Sequence, residues 1–207
     1  YQRQVLLGRW PVTSTTPLRD LFAFIPPSGE FRRVMEACGA MGWWADPELR
    51  AQFFRPVTVL THMLDYYLWP DRFWLQHLHS LLWGGASVGL VCLYLRRTGL
   101  TLAVAGLAGL MFAVEDAHSL NMGWIANRNA SICLVFGVGA LWLHQRWREE
   151  GLWPLAVASV TVFTLSLLSA EAGVGALAYL VAWQLVMDRG HWSSRLSALV
   201  PYLIVVV

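Results

Sequence analysis

Charge is scarce in this chain: Asp, Glu, Lys and Arg make up only 14% of its 207 residues. Cysteine is scarcer still, and Cys38, Cys92 and Cys133 stand alone, with no Cys-x-x-Cys pair and no histidine cluster beside them. Isolated thiols argue against a structural zinc site and against dithiol redox chemistry. There is no basic patch, and the formal net charge of +2 comes from arginines at a few turns, so nothing points to nucleic acid as a partner. No signal peptide is visible. The chain starts at Tyr1 rather than Met and stops inside the apolar run 202–207, too short for a span of about 20 residues. It reads as a fragment from which a preceding membrane helix has been cut.

What is abundant is apolar. Hydrophobic residues make up 57% and the mean hydropathy is +0.48, far from the balance of a soluble domain. Five mostly apolar stretches fill the chain from about Leu78 onward, and the charges between them alternate in sign. Arg96 and Arg97 follow the first stretch, Arg146 and Arg148 the third, Arg189 and Arg195 the fifth; Glu115, Asp116 and Glu171 occupy the other two turns. By the positive-inside rule the arginine turns are cytoplasmic. The acidic turns and everything before Leu78 then face the extracytoplasmic side. There are 12 tryptophans, and Trp74, Trp83, Trp124, Trp142, Trp147, Trp153 and Trp192 fall near the ends of apolar runs, where amphipathic rings settle at headgroup level.

The expected fold class is all-α, a polytopic membrane helix bundle of about five spans plus a truncated sixth. Residues 1–76 form an extracytoplasmic loop domain of short helices and residues 77–207 the bundle, incomplete at its C-terminus. Pro11, Pro17, Pro26, Pro27, Pro47, Pro56 and Pro70 break the first part into short segments. Asp46-Pro47-Glu48 looks like a helix start. Residues 56–69 place Val57, Leu60, Met63, Leu64 and Tyr67 at helical spacing, as a helix on the membrane surface would. The spans are expected at about 77–95, 100–114, 124–147, 153–169 and 172–187. The second is short and glycine-rich, suited to close packing.

Charges at membrane depth cost roughly 2.5 to 3.5 kcal/mol at a helix centre, so their location invites a functional question. Arg55, Asp65, His77, Glu115, Asp116, His118, Asn121, Asn127, Arg128 and Glu171 all fall in the extracytoplasmic half. A site for a charged lipid headgroup explains that economically; ordinary loop charges at helix ends are the plainer alternative for any one of them. Arg128 can present a planar fork to a phosphate or carboxylate, its partner being either Glu115, Asp116 or Glu171 within the chain or a phospholipid-linked substrate. His77 and His79 lie two apart and cannot share a helix face, which argues against a metal pair.

The run Phe112-Ala113-Val114-Glu115-Asp116-Ala117-His118-Ser119, followed by Trp124-Ile125-Ala126-Asn127-Arg128, resembles the second outer loop of GT-C class integral-membrane glycosyltransferases, above all those similar to protein O-mannosyltransferases. Phe54-Arg55-Pro56 is similar to the motif that opens that family's surface helix, Ser169-Ala170-Glu171 to its Ser-Lys-Glu turn, and Asp188 to the acidic residue ending the next span. The similarity runs over about residues 53–188. It departs where Glu115-Asp116 replaces His-Pro and Ala170 replaces Lys, so phosphate contacts from those positions are not implied. The resemblance implies transfer of a sugar from a polyprenyl-phosphate-linked donor to an acceptor (protein, lipid or glycan) on the extracytoplasmic side. No certain cofactor follows from it, and a divalent metal stays open. It also implies a catalytic carboxylate upstream of Tyr1, with Asp20, Asp46 and Asp65 as weaker substitutes. Arg55, Arg128 and His118 are the candidates for the phosphate, supported by Glu115, Asp116, Asn127 and Glu171. Trp43 and Trp44 are candidates for stacking on a sugar or anchoring at the membrane surface. Two other classes compete: a transporter or flippase-like subunit, disfavoured by uncharged span middles and the lack of an internal repeat, and a non-catalytic membrane scaffold.

Overall fold

A computed structural model of the chain describes residues 51–207 and, before them, residues 18, 21–25, 33, 35–39, 42 and 44–46. Asp20, Trp43 and the helix start expected at Pro47 and Glu48 lie outside the described residues. A short strand β1 (Ala23–Ile25) pairs antiparallel with β2 (Ala51–Gln52), a pairing that the hydrophobic pattern did not announce. Helices follow: α1 (Pro56–Leu68), α2 (Phe73–Arg97), α3 (Leu102–Val114), the short α4 (Ser119–Gly123), α5 (Arg128–Glu150), α6 (Trp153–Leu167), α7 (Gly175–Val186) and α8 (Trp192–Val206). Single 3₁₀ turns at Asp116–His118, Ile125–Asn127 and Glu171–Val174 join α3 to α4, α4 to α5 and α6 to α7.

The helix ends follow local chemistry. Pro56 and Pro154 stand in the first turns of α1 and α6, where a missing N–H removes no helical bond. Arg96 and Arg97 occupy the last turn of α2, where cations meet the negative end of the helix dipole. Gly151 closes α5 with φ of 71°, a left-handed cap that a side chain would strain.

Two helices are long and apolar enough to cross a membrane, α2 and the segment Ile125–Glu150. At 1.5 Å per residue the 25 residues of α2 reach roughly 37 Å, more than the hydrocarbon thickness of about 30 Å. The bent pair Leu102–Val114 and Asp116–Gly123 would make a third span if taken together. Helices α6, α7 and α8, of 15, 12 and 15 residues, are apolar but shorter than a full crossing. The five-span expectation therefore stands only in its coarser form, a mostly helical bundle with two spanning helices.

The polarity of the bundle is inverted relative to a water-soluble protein. In α2 the buried residues are Gln76, Ser80, Gly84 and Ser87, while Leu78, Leu81, Leu82 and Leu93 are exposed. Small and polar residues let helices approach where the surroundings are as apolar as leucine. The approach of α3 to α2 is so close that a Cβ at Gly109 would run into Cys92 Sγ. In α1 the buried face is Thr58, Val59, His62 and Asp65, and the outward face is Leu60, Met63, Leu64 and Tyr67. Trp74 and Trp124 are exposed near one end of the bundle, Trp153 and Trp192 near the other.

A compact apolar core of Ala140, Leu141, Phe163, Leu180, Leu199 and Tyr202 joins α5 to α8. A buried chain of hydrogen bonds runs through it. The Gln184 amide donates to His144 Nε2 at 2.7 Å, which leaves the ring proton on Nδ1 to meet Tyr202 Oη at 2.9 Å. Tyr202 meets Ser159 Oγ at 2.7 Å, and Ser159 donates to the Ala140 carbonyl. At the arginine-turn end Arg97 pairs with Glu149, and Arg148 donates to Asp188 at 2.7 Å. Burial pushes the Asp188 carboxyl up, but the Arg148 hydrogen bond, the Gly190 N–H and the charges of Arg148 and Arg195 outweigh it and hold the group below its ordinary value. The opposite end gathers α1, the start of α5 and the turn at Glu171, so the arginine turns and the acidic turns do lie at opposite ends of the bundle.

Candidate functional site

Arg128 opens α5 and is completely buried. A guanidinium without solvent needs every donor accounted for. Its Nε donates to Ser80 Oγ at 2.9 Å, Nη2 to the Gln76 carbonyl at 2.7 Å, and Nη1 to Thr61 Oγ1 at 3.5 Å. Asp65 Oδ2 lies 2.5 Å from Nη2, a close ion pair whose alignment makes no hydrogen bond, so Oδ2 has no hydrogen-bond partner among the described residues. The other oxygen, Asp65 Oδ1, is 2.6 Å from His79 Nδ1. Trp83 settles the tautomer of that histidine: its indole N–H can only donate, and it donates to His79 Nε2 at 3.0 Å. The ring proton of His79 is therefore on Nδ1 and points at Asp65, which makes the 3.2 Å approach of Arg128 Nη1 to that nitrogen a contact rather than a hydrogen bond. The result is a polar relay, Trp83 to His79 to Asp65 to Arg128, that welds α1, α2 and α5 together.

Arg55 stands in a different state. Its Nε and Nη2 donate to Glu171 Oε2 at 3.0 and 2.7 Å. Behind the guanidinium lie the faces of Phe22, at 5.0 Å, and Phe53, at 4.6 Å, within cation–π range. The Asn129 amide, oriented by its surroundings, accepts from Nη1 at 3.2 Å. The Arg55 side chain is 15% exposed and that of Glu171 51%. Close by, Thr58 donates to the Ser169 carbonyl at 2.9 Å, fixing the start of α1 against the turn that carries Glu171.

Between α2, the α3–α4 turn, α5 and the start of α7 lies a cavity of about 460 Å³. Its lining runs along α5 from Ala130 to Leu141, roughly 16 Å of helix, so it is elongated along the bundle. The walls are mainly apolar, with Val91, Leu95, Leu134, Val138 and Ala176 among them. The polar groups His118, Asn121 and Ser131 stand toward the Arg128 end. The His118 ring leans on Phe112, with centroids 4.3 Å apart, and Asn121 accepts a hydrogen bond from Asn127. Arg55 and Glu171 are not part of the lining, but the turn that carries Glu171 contributes Ala172 and Gly173 to it.

Of the residues singled out in the sequence, Arg55 pairs with Glu171 beside the turn that enters the cavity wall, and His118 and Asn121 line the cavity, with Asn127 bonded to Asn121. Arg128 and Asp65 are joined to each other and lie outside the cavity lining. Glu115 and Asp116 are exposed and unpaired among the described residues, as solvated turn charges would be. Asp46 and Trp44 lie on the exposed surface before β2. Sequence reasoning passed over Thr61, Gln76 and Ser80, and weighed His79 only as a metal partner of His77 and Trp83 only as an interfacial ring; all five complete the surroundings of Arg128 and Asp65. The available signal was the polar stripe Thr58, His62 and Asp65 on α1, opposite its apolar stripe. Among the described residues no group of three or more His, Cys, Asp or Glu could hold a metal ion.

His62 faces the same relay. It is 1% exposed, and its Nε2 has no partner among the described residues. Burial first, then the Arg128 charge, lower its pKa to about 3, against a smaller raising effect of Asp65. Because the folded-state value lies below the unfolded value of 6.5, the unfolded chain binds the extra proton in that window, and stability falls as pH drops below 6.5. The expected loss between pH 6.5 and pH 5 is about 2 kcal/mol. Thermal unfolding in detergent should show this acid slope in the native protein and a flatter one in His62→Leu; equal slopes would assign it elsewhere.

Compared with protein-family models, curated protein sequences and solved structures, the chain matches none.

Proposed function

We propose that this chain is part of a multi-pass membrane glycosyltransferase that transfers a sugar from a polyprenyl-phosphate-linked donor to an acceptor on the extracytoplasmic side. The observation that carries this reading is the elongated apolar cavity lined at one end by His118, Asn121 and the turn whose first residue, Glu171, pairs with Arg55. An isoprenoid chain suits the first part and a phosphate the second. In this reading the shorter helices complete the expected set of spans with their neighbours, and the acidic turns face outward, as the arginine asymmetry implies.

The chemistry asks for a carboxylate to take the acceptor's proton and for cations to stabilise the departing phosphate. Arg55 and His118 supply the cation and a hydrogen-bonding ring. Asp65 is 1% exposed and committed to His79 and Arg128, so its part is to position them rather than to act as the base. That engagement favours a second reading, a carrier-lipid-binding scaffold that performs no transfer. Assays of membranes containing the full-length protein, with a panel of polyprenyl-phosphate sugars, separate the two. Transfer from one of the donors is expected, with an increase of tenfold or more in donor KM for Gly137→Leu, which projects a side chain into the cavity beside Ser166 and Ala176. A folded protein that transfers no sugar from any donor would leave the scaffold reading.

A further inference from the structure

The two arginines expected to meet phosphate differ in one decisive respect. Arg128 is sealed at 0% exposure by partners from two helices, α1 and α2, and its carboxylate, Asp65, is 1% exposed. An incoming anion has no route to displace that carboxylate without exposing a buried charge. At Arg55 the arrangement is reversed. The guanidinium is held from behind by two aromatic faces and an amide, and the remaining partner on its open side is the half-exposed carboxylate of Glu171.

We propose that Glu171 is an exchangeable plug: its carboxylate occupies, in the empty protein, an anion site built on Arg55 that a phosphate-bearing lipid takes by displacing it. This rests on the proposed function for the identity of the lipid but not for the existence of the site. Releasing a half-exposed carboxylate to water costs little, because it is rehydrated as it leaves and its pairing in solvent is worth little to begin with. The fork formed by Nε and Nη2, now directed at Glu171, is matched to two oxygens of a phosphate as well as to a carboxylate. Phe22, Phe53 and Asn129 keep the guanidinium in place while its partner changes, so the site is preorganised. Glu171 belongs to the 3₁₀ turn Glu171–Val174, whose next residues, Ala172 and Gly173, line the cavity. The anion site on Arg55 therefore lies beside a turn that forms part of the cavity wall. The plug also prevents an unpaired half-buried cation in the empty state, and it makes affinity for phosphate a competition.

The test measures binding by the native, Glu171→Gln and Arg55→Gln proteins in uncharged detergent, read by tryptophan fluorescence and calorimetry. The probes are geranyl phosphate, geraniol and inorganic phosphate. Glu171→Gln should bind geranyl phosphate about tenfold more tightly than the native protein and geraniol no differently. Arg55→Gln should lose the advantage of the phosphate over the alcohol. Tighter binding of inorganic phosphate alone, in parallel, would make the site one for free phosphate as well; a gain confined to geranyl phosphate makes it a lipid-phosphate site. Unchanged or weaker binding by Glu171→Gln, with or without a fall in Tm, would make the pair a fixed strut and overturn the proposal. A gain in binding together with an absence of sugar transfer would retain the plug and remove the transferase.

Discussion

Asp65→Leu alone, or Arg128→Met alone, is expected to destabilise the protein by about 3 to 5 kcal/mol, because each leaves an uncompensated charge at a site without solvent. The midpoint of thermal unfolding should fall by roughly 10 °C. The double variant Asp65→Leu with Arg128→Met removes both charges and should recover most of that loss, since apolar side chains of similar volume often replace a buried pair with little change. Scans at one fixed rate in detergent suffice to compare the three proteins. Additive losses in the double variant would mean that the two residues act separately, and the relay from Trp83 through His79 to Arg128 would lose its central link. Recovery would also show that Ser80, Gln76 and Thr61 tolerate the loss of their arginine: the Ser80 and Thr61 hydroxyls already donate to the Gln76 and Thr58 carbonyls, so the Gln76 carbonyl keeps a donor.

The second large effect is expected at Gly173. A Cβ there would stand 2.8 Å from the backbone C and O of Ser166 and 2.9 Å from the Leu167 nitrogen, closer than real Cβ atoms come to backbone. No rotamer change can relieve it. Gly173→Ala must push the end of α6 away from the turn that carries Glu171, at a cost of about 1 to 3 kcal/mol or more, and should weaken geranyl phosphate binding as that part of the cavity wall shifts. Gly109 provides the contrast, because the atom in the way there is the side-chain Sγ of Cys92. Gly109→Ala should be rescued by Cys92→Ala, whereas no single side-chain truncation should rescue Gly173→Ala. If Gly173→Ala unfolds at the native midpoint, the packing of the turn against α6 is looser than the geometry requires.

Much of the frame was legible because it depends on local signals. Pro56 marked the start of α1, Arg96 and Arg97 the end of α2, and the charge alternation the separation of arginine turns and acidic turns to opposite ends of the bundle. Span number was less legible. Charge alternation shows that the chain reverses but not how far it travels, and α3 ends at Val114 after 13 residues, so hydrophobicity and length disagree there. The site was legible as a neighbourhood rather than as pairings. Arg128 stood out because a cation at the start of an apolar helix needs a partner, but three acidic turn residues were its apparent choices. Its real partner, Asp65, sits on the polar face of α1, a face visible only when the apolar stripe is read as pointing outward. His79 was weighed only against His77, two residues away, whereas its partner lies 14 residues earlier. Such pairings arise where helices meet in three dimensions, and one sequence carries no record of them.

The Arg55–Glu171 pair spans 116 residues of sequence. At synthesis rates of about 5 to 20 residues per second, α1 emerges roughly 6 to 23 seconds before its distant carboxylate exists. Through that interval Arg55 has no Glu171, and Asp65 waits in the same way for Arg128. Both contacts therefore form only after the later segments are made, and the docking of α1 cannot be complete until the turn at Glu171 exists.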